Sequence, residues 1–278
     1  MQLLSLSAIT LLASFVAATS EVITGQWTCV DAGAYQLCQN LWGEDNGVGS
    51  QNATLYSATG DSISWSTTYT WADGPYDVKS YSNVNQLSAT GMLLSEITSA
   101  PTAWQWEYEA ISSSTVADVS YDIWVGTSPD DPGTDTSTFE IGRVSILSLF
   151  GYPMSGRRLD FDSAGPLGSE IASDISVGGY SWNLYSGFNT YWTTVSFVTN
   201  QGNIYDFSSD LKDFFGKPSI PVLSPVSLSN PLLYRPVYLN ENSNVSLSNY
   251  LQSVESGTEP FLGTATLYTE SFSVTVNT

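Results

Sequence analysis

Long stretches of this 278-residue chain alternate between large or β-branched side chains and small polar ones, a period of two that commits them to β-strands rather than helices. Ser62-Ile63-Ser64-Trp65-Ser66, Ala103-Trp104-Gln105-Trp106 and Val119-Ser120-Tyr121-Asp122-Ile123-Trp124 show the pattern, as do Ser181-Trp182-Asn183-Leu184, Thr194-Val195-Ser196-Phe197 and Thr266-Leu267-Tyr268. Val, Thr, Ser and aromatic residues dominate these runs, and Gly, Asn and Asp punctuate them. One window carries a helical spacing. In 206–215, Phe207, Leu211, Phe214 and Phe215 fall on roughly one face, with Ser208 or Ser209 placed to cap and Gly216 to stop. The expected fold is all-β, a sandwich of two antiparallel sheets with one short helix.

Residues 1–18 read as a secretory signal, an apolar run ending in small residues at Val16-Ala17-Ala18. The remainder, 19–278, suits a single domain. No Ser/Thr/Pro-rich linker or repeat divides it, but 144–163 and 217–244 break the strand texture as insertions. Retained intron sequence would explain both, since Val144-Ser145 and Gly216-Lys217 can be encoded by splice-donor-like codons.

Seven basic residues against 27 acidic ones give a net charge of -20, a poor match for nucleic acid or an anionic membrane. The absence of histidine removes Ser-His-Asp and Cys-His chemistry and argues against catalytic zinc, so neither metal nor cofactor is expected. Acid–base work falls to Asp, Glu, Tyr or Lys. Cys29 and Cys38 are the only cysteines and are expected to pair across a small hairpin, 28–39; two buried thiols are the other reading. Asn52 and Asn244 begin N-glycosylation sequons.

Two carboxylates stand out. Glu140 alternates with Phe139 and Ile141, so if those two face the core, Glu140 faces a surface open to substrate. Glu259 precedes Pro260, which biases its backbone to an extended form and fixes its direction. Two carboxyls facing each other across a groove are the minimum equipment for glycoside hydrolysis. Asp122 alternates in the same way between Tyr121 and Ile123 and shares a face with Trp124. The chain also has more Trp and Tyr than one core needs. Trp42, Trp71, Trp104, Trp106, Trp124 and Trp192 are candidates to line a groove, with Asn40 placed to bind sugar hydroxyls.

In order along the chain, Asn40-Leu41-Trp42-Gly43, Val78-Lys79-Ser80-Tyr81, Tyr121-Asp122-Ile123-Trp124, Phe139-Glu140-Ile141, Phe207 to Phe215 and Gly257-Thr258-Glu259-Pro260-Phe261 resemble glycoside hydrolase family 12. The resemblance implies a jelly roll with a concave substrate cleft, and a monomer acting as a retaining endo-β-1,4-glucanase on β-glucans. It further implies Glu140 as nucleophile, Glu259 as acid/base and Asp122 as the carboxylate contacting the nucleophile. Asn40, Trp42, Trp71 and Trp124 become substrate-binding positions, and the Cys29–Cys38 spacing is similar to that of fungal members acting on xyloglucan. The family's continuation of the nucleophile strand is replaced here by Gly142-Arg143. That departure keeps a second expectation open, a noncatalytic β-glucan-binding sandwich.

Overall fold

A computed structural model describes residues 20–130, 132–133, 135, 137–145, 165–215 and 245–278. The expected signal 1–18, the insertion 217–244, most of 144–163 and Asn244 lie outside the described residues. The first eight strands are β1 (Glu21–Ile23), β2 (Cys29–Ala32), β3 (Tyr35–Cys38), β4 (Val48–Thr59), β5 (Ser62–Ala72), β6 (Ser82–Gln86), β7 (Met92–Leu93) and β8 (Pro101–Ile111). They are followed by β9 (Val116–Gly126), β10 (Ser137–Ser145), β11 (Ser169–Val177), β12 (Tyr180–Phe188), β13 (Thr193–Thr199), β14 (Asp206–Asp210) and β15 (Tyr250–Val274). A single helical turn, α1, spans Lys212–Phe215.

Two sheets form a jelly-roll sandwich. The first has the order β1-β4-β5-β15-β8-β14. The second has the order β2-β3-β6-β15-β9-β10-β13-β12-β11, with β7 also on β15. Among the described residues every pairing is antiparallel except β10 with β13. β15 belongs to both sheets: its first half pairs with β6, β7 and β9, and its second half with β5 and β8. The changeover falls at Gly263, whose φ of +97° is strained for any residue bearing a Cβ. A Cβ there would also lie 2.5 Å from the Thr115 Cα.

The alternation read from the sequence sorts side chains as expected. On β9, Val119, Tyr121, Ile123 and Val125 are fully buried in the core, and Asp118, Ser120, Asp122 and Trp124 take the opposite face. Between the sheets, aromatic rings form a continuous chain. Trp65 and Trp104 stack with centroids 6.0 Å apart, Phe272 and Tyr121 meet them edge-on, and Phe207, Trp182, Phe197 and Phe214 extend the contact. Trp104 is thus a core residue rather than a groove lining, its indole N–H donating to Thr269 Oγ1 at 3.0 Å. Trp106 is also buried.

The expected helix over 206–215 is mostly a strand. β14 adds to the edge of β8, and only the last turn is helical. The spacing misleads because Phe207 reaches the core by strand alternation, whereas Leu211, Phe214 and Phe215 reach it from a tight turn. Asp210 makes that switch, its Oδ1 accepting the Lys212 N–H at 3.0 Å and the Ala100 N–H at 2.6 Å. Cys29 and Cys38 face each other on the β2–β3 hairpin and form a disulfide. Asn52 is half-buried on β4, opposite Thr68.

Removing the Trp104 ring should open a cavity at the centre of the aromatic chain and orphan Thr269 Oγ1. Trp104→Ala is expected to cost about 3–5 kcal/mol, measured as a lowered urea midpoint with an unchanged slope.

Candidate active site

Three neighbouring strands of the second sheet, β15, β9 and β10, present the acidic residues. The face turned away from the core carries Asp118, Ser120, Asp122 and Trp124 on β9. Directly opposite on β15 stand Glu259 at Asp118, Gly257 at Ser120 and Glu255 at Asp122. On β10, Glu140 pairs with Trp124 and Gly142 with Asp122. Glu140 is on this face because Ile141 is fully buried and Phe139 packs on the core.

The Gly257-Thr258-Glu259-Pro260 run explains how Glu259 is fixed. Gly257 sits where β6 approaches closely, and a Cβ there would be 2.1 Å from the Ser82 carbonyl oxygen. Thr258 Oγ1 donates to the Asp118 carbonyl, and the Glu259 N–H donates to Asp118 Oδ1 at 3.2 Å. Pro260 offers no donor, and the β15–β9 register shifts just beyond it. Glu259 is 8% exposed and Asp122 5%.

Glu140 is held from its other side. Its Oε2 accepts the Trp192 indole N–H at 2.8 Å and the Thr194 hydroxyl at 2.9 Å, both from the β13 side. Trp192 in turn meets Trp124 edge-on at 4.8 Å, so two indoles wall the carboxylate. Asp122 is a diagonal neighbour of Glu140, within reach of a long side chain.

Glu140 and Glu259 share a face but not a level. Glu140 is level with Trp124 and Glu259 with Asp118, six residues away along β9. At a strand's rise that is about 20 Å. The approach of about 5–5.5 Å expected of a retaining pair is therefore not formed in this register. Gly142, not Glu140, stands beside Asp122, and Trp192 and Thr194 draw the Glu140 carboxylate toward β13.

A groove of about 200 Å³ adjoins Glu255 on the β6 and β3 side. It is lined by Trp27, Gln36, Asn40, Asn83, Asn85 and Glu255, with the disulfide at its edge. Asn40 adopts φ +46° and accepts the Tyr81 N–H on its carbonyl. Trp42 is 50% exposed and Trp27 64%, so both offer free ring faces. Trp71 does not. It is 4% exposed, its indole N–H is directed to Gln51 Oε1, and the structure keeps it inside the sandwich.

Glu255, Asp118, Trp27 and Tyr81 are not among the site residues expected from the sequence, although Tyr81 lies in a run that carries the family resemblance. The signal for the first two was spacing: Asp118 and Asp122, like Glu255 and Glu259, lie four apart and so share a strand face. Tyr81 is buried, and its hydroxyl donates to the Ser120 carbonyl at 3.1 Å. Burial pushes the Tyr81 phenol well above its ordinary range, and Asp122, Glu255 and Glu259 push in the same direction. The arrangement is a buried-edged acidic face bordered by indoles and amides, suited to a neutral, hydroxyl-rich ligand and to proton transfer.

Comparison with known proteins identifies the family of the fold. The family model for glycosyl hydrolase family 12 matches residues 33–277. Xyloglucan-specific endo-beta-1,4-glucanase A of Aspergillus niger is 38% identical over 99% of this chain and 100% of its own. The enzyme of the same name from Emericella nidulans is 37% identical, covering all of both chains. Among solved structures, Trichoderma harzianum endoglucanase 3 superposes with a TM-score of 0.75 at 27% identity, covering 94% of this chain and 99% of that one. The catalytic domain of Humicola grisea Cel12A gives 0.73 at 26%, covering 92% and 99%. The family model and the relatives that match over their whole length, with the fold, place this chain in glycosyl hydrolase family 12.

Proposed function

We propose that this chain is a secreted, retaining endo-β-1,4-glucanase of one catalytic domain, with xyloglucan as its preferred substrate. The observation that carries the reading is the acidic face of β15, β9 and β10, bordered by the part-buried indoles of Trp124 and Trp192, on a family 12 scaffold. The substrate preference rests on relatives named as xyloglucan-specific that match over their whole length. Residues 1–18 are the export signal in this reading.

Glu140 attacks the anomeric carbon and Glu259 protonates the departing glycosidic oxygen. Water, deprotonated by Glu259, then releases the glycosyl-enzyme. Both carboxyls must reach one linkage, so this reading requires a β10–β9 register closer to Asp118 by an even number of residues. An even slide keeps Glu140 on the groove face and Ile141 in the core. Asp122 orients Glu140, Trp42 and Trp124 offer ring faces to sugar, and Asn40 offers an amide. The chemistry requires no metal or organic cofactor.

The offset of Glu140 from Glu259 favours one rival, a β-glucan-binding sandwich that no longer cleaves. Release of reducing ends from xyloglucan, barley β-glucan and carboxymethylcellulose separates the two. Cleavage is expected, fastest on xyloglucan, whereas retention of these glucans without products establishes the rival. Glu140→Gln is expected to lose about ten-thousand-fold in kcat while keeping glucan affinity. Glu259→Ala should regain turnover with azide on an activated aryl glucoside, giving a β-glycosyl azide; an unrescued, folded variant removes the acid/base role.

Trp192→Phe deletes one charge-assisted hydrogen bond to Glu140 and keeps an aromatic wall against Trp124. Such a bond is worth about 1.5–3 kcal/mol, so kcat/KM should fall about 10- to 100-fold with little change in thermal midpoint.

A further inference from the structure

Glu255 stands directly opposite Asp122 on the adjacent strand, on the same face of the sheet. Side chains so paired have Cβ atoms about 4.5–5.5 Å apart. We propose that Asp122 and Glu255 titrate as one coupled carboxyl pair, the charge of Glu255 keeping a proton on Asp122, which makes Glu255 a positioning residue for the Asp122–Glu140 contact that the glucanase reading requires. The inference rests on the glucanase reading only for its catalytic consequence.

Glu255 is itself held in place. Asn83 Nδ2 donates to its Oε2 at 3.0 Å, and the Ser253 hydroxyl donates to its Oε1 at 2.9 Å. Both anchors keep the carboxyl on the groove face, where it lines the cavity beside Asn40 and Asn83. Asp122 is almost fully buried on the other strand. Two like charges about 5 Å apart at a protein edge repel enough to raise one of the two titrations by about two pH units. The two steps then belong to the pair rather than to either residue.

Neighbouring carboxylates act in the same direction, whereas the Asn83 and Ser253 donors favour the ionised form of Glu255. β9 adds Asp118, β15 adds Glu259, and β10 contributes Glu140 on the diagonal and Gly142 at the level of Asp122. β6 and β3 contribute Asn83, Asn85 and Gln36. The Tyr81 phenol feels the pair directly: after burial, Asp122 and then Glu255 are the groups that raise it most. A pair that keeps one proton gives Asp122 a hydrogen to donate toward Glu140 while that nucleophile is ionised. Removing the Glu255 charge lowers the pH at which Asp122 loses its proton, whatever else surrounds it.

The test is a titration of the full chain with its Asp and Glu carboxyl carbons 13C-labelled. The wild type should show two carboxyls with a shared two-step curve, the upper step about two pH units above an ordinary carboxyl. Glu255→Gln and, independently, Asp122→Asn should each collapse that curve to one ordinary step. Two separate ordinary titrations in the wild type overturn the pair. On β-glucan, Glu255→Gln should move the alkaline limb of kcat/KM about two pH units lower, and Glu255→Asp should restore it. An unmoved limb in folded Glu255→Gln overturns the positioning role. A shared titration in a protein that releases no reducing ends upholds the pair and removes the glucanase reading. Hydrolysis with independent titrations does the reverse.

Discussion

Eleven paired positions join β9 to β15, from Tyr250 opposite Gly126 to Leu262 opposite Val116, and this ladder sets both the core and the acidic face. Its alternation sends Val119, Tyr121 and Ile123 inward and Asp118, Ser120 and Asp122 outward. The same strand β15 continues past Gly263 to pair with β5 and β8, so the acidic face is tied to the opposite sheet by unbroken backbone. Burial of the aromatic chain between the sheets stabilises that ladder, and the ladder places Glu255 and Glu259 on the groove face. Hydrophobic packing therefore determines which carboxyls can meet a substrate, although none of the aromatic core residues touches one.

Much of this was legible in the sequence because strand alternation has a period that survives tertiary context. The faces of Glu140 and Asp122 followed from Phe139, Ile141, Tyr121 and Ile123 alone. The level of one strand against another was not legible. Sliding a strand by an even number of residues leaves every face unchanged, so no single-strand pattern could show that Glu140 is level with Trp124 rather than Asp122. Tryptophan burial was equally hidden. Trp42 and Trp71 read alike as groove candidates, yet the first is exposed and the second hydrogen-bonds to Gln51 inside the sandwich. The stretch 206–215 was misread because four apolar residues can reach a core by two routes, and Asp210 switches between them.

Family membership and local geometry pull on Glu140 from opposite sides. The family motif assigns it the attack on the sugar, which requires company from Glu259. In the register observed, Trp192 and Thr194 are its hydrogen-bonding neighbours, and Glu255 rather than Glu259 lies beside Asp122. One of the two departures from the family resemblance lies at Gly142-Arg143, just beyond Glu140. Glycine at the level of Asp122 leaves that place without a side chain. A covalent bond from Glu140 to sugar is therefore the step that separates a glucanase from a glucan-binding sandwich.

Mechanism-based trapping tests that point directly. The full chain is incubated with a 2-deoxy-2-fluoro cello-oligosaccharide bearing a good leaving group, digested, and mapped by peptide mass spectrometry. One glycosyl label on the peptide containing Glu140, absent from Glu140→Gln, is the predicted result. A protein that cleaves β-glucan but carries the label on Glu255, Glu259 or Asp122, or carries none, contradicts the account.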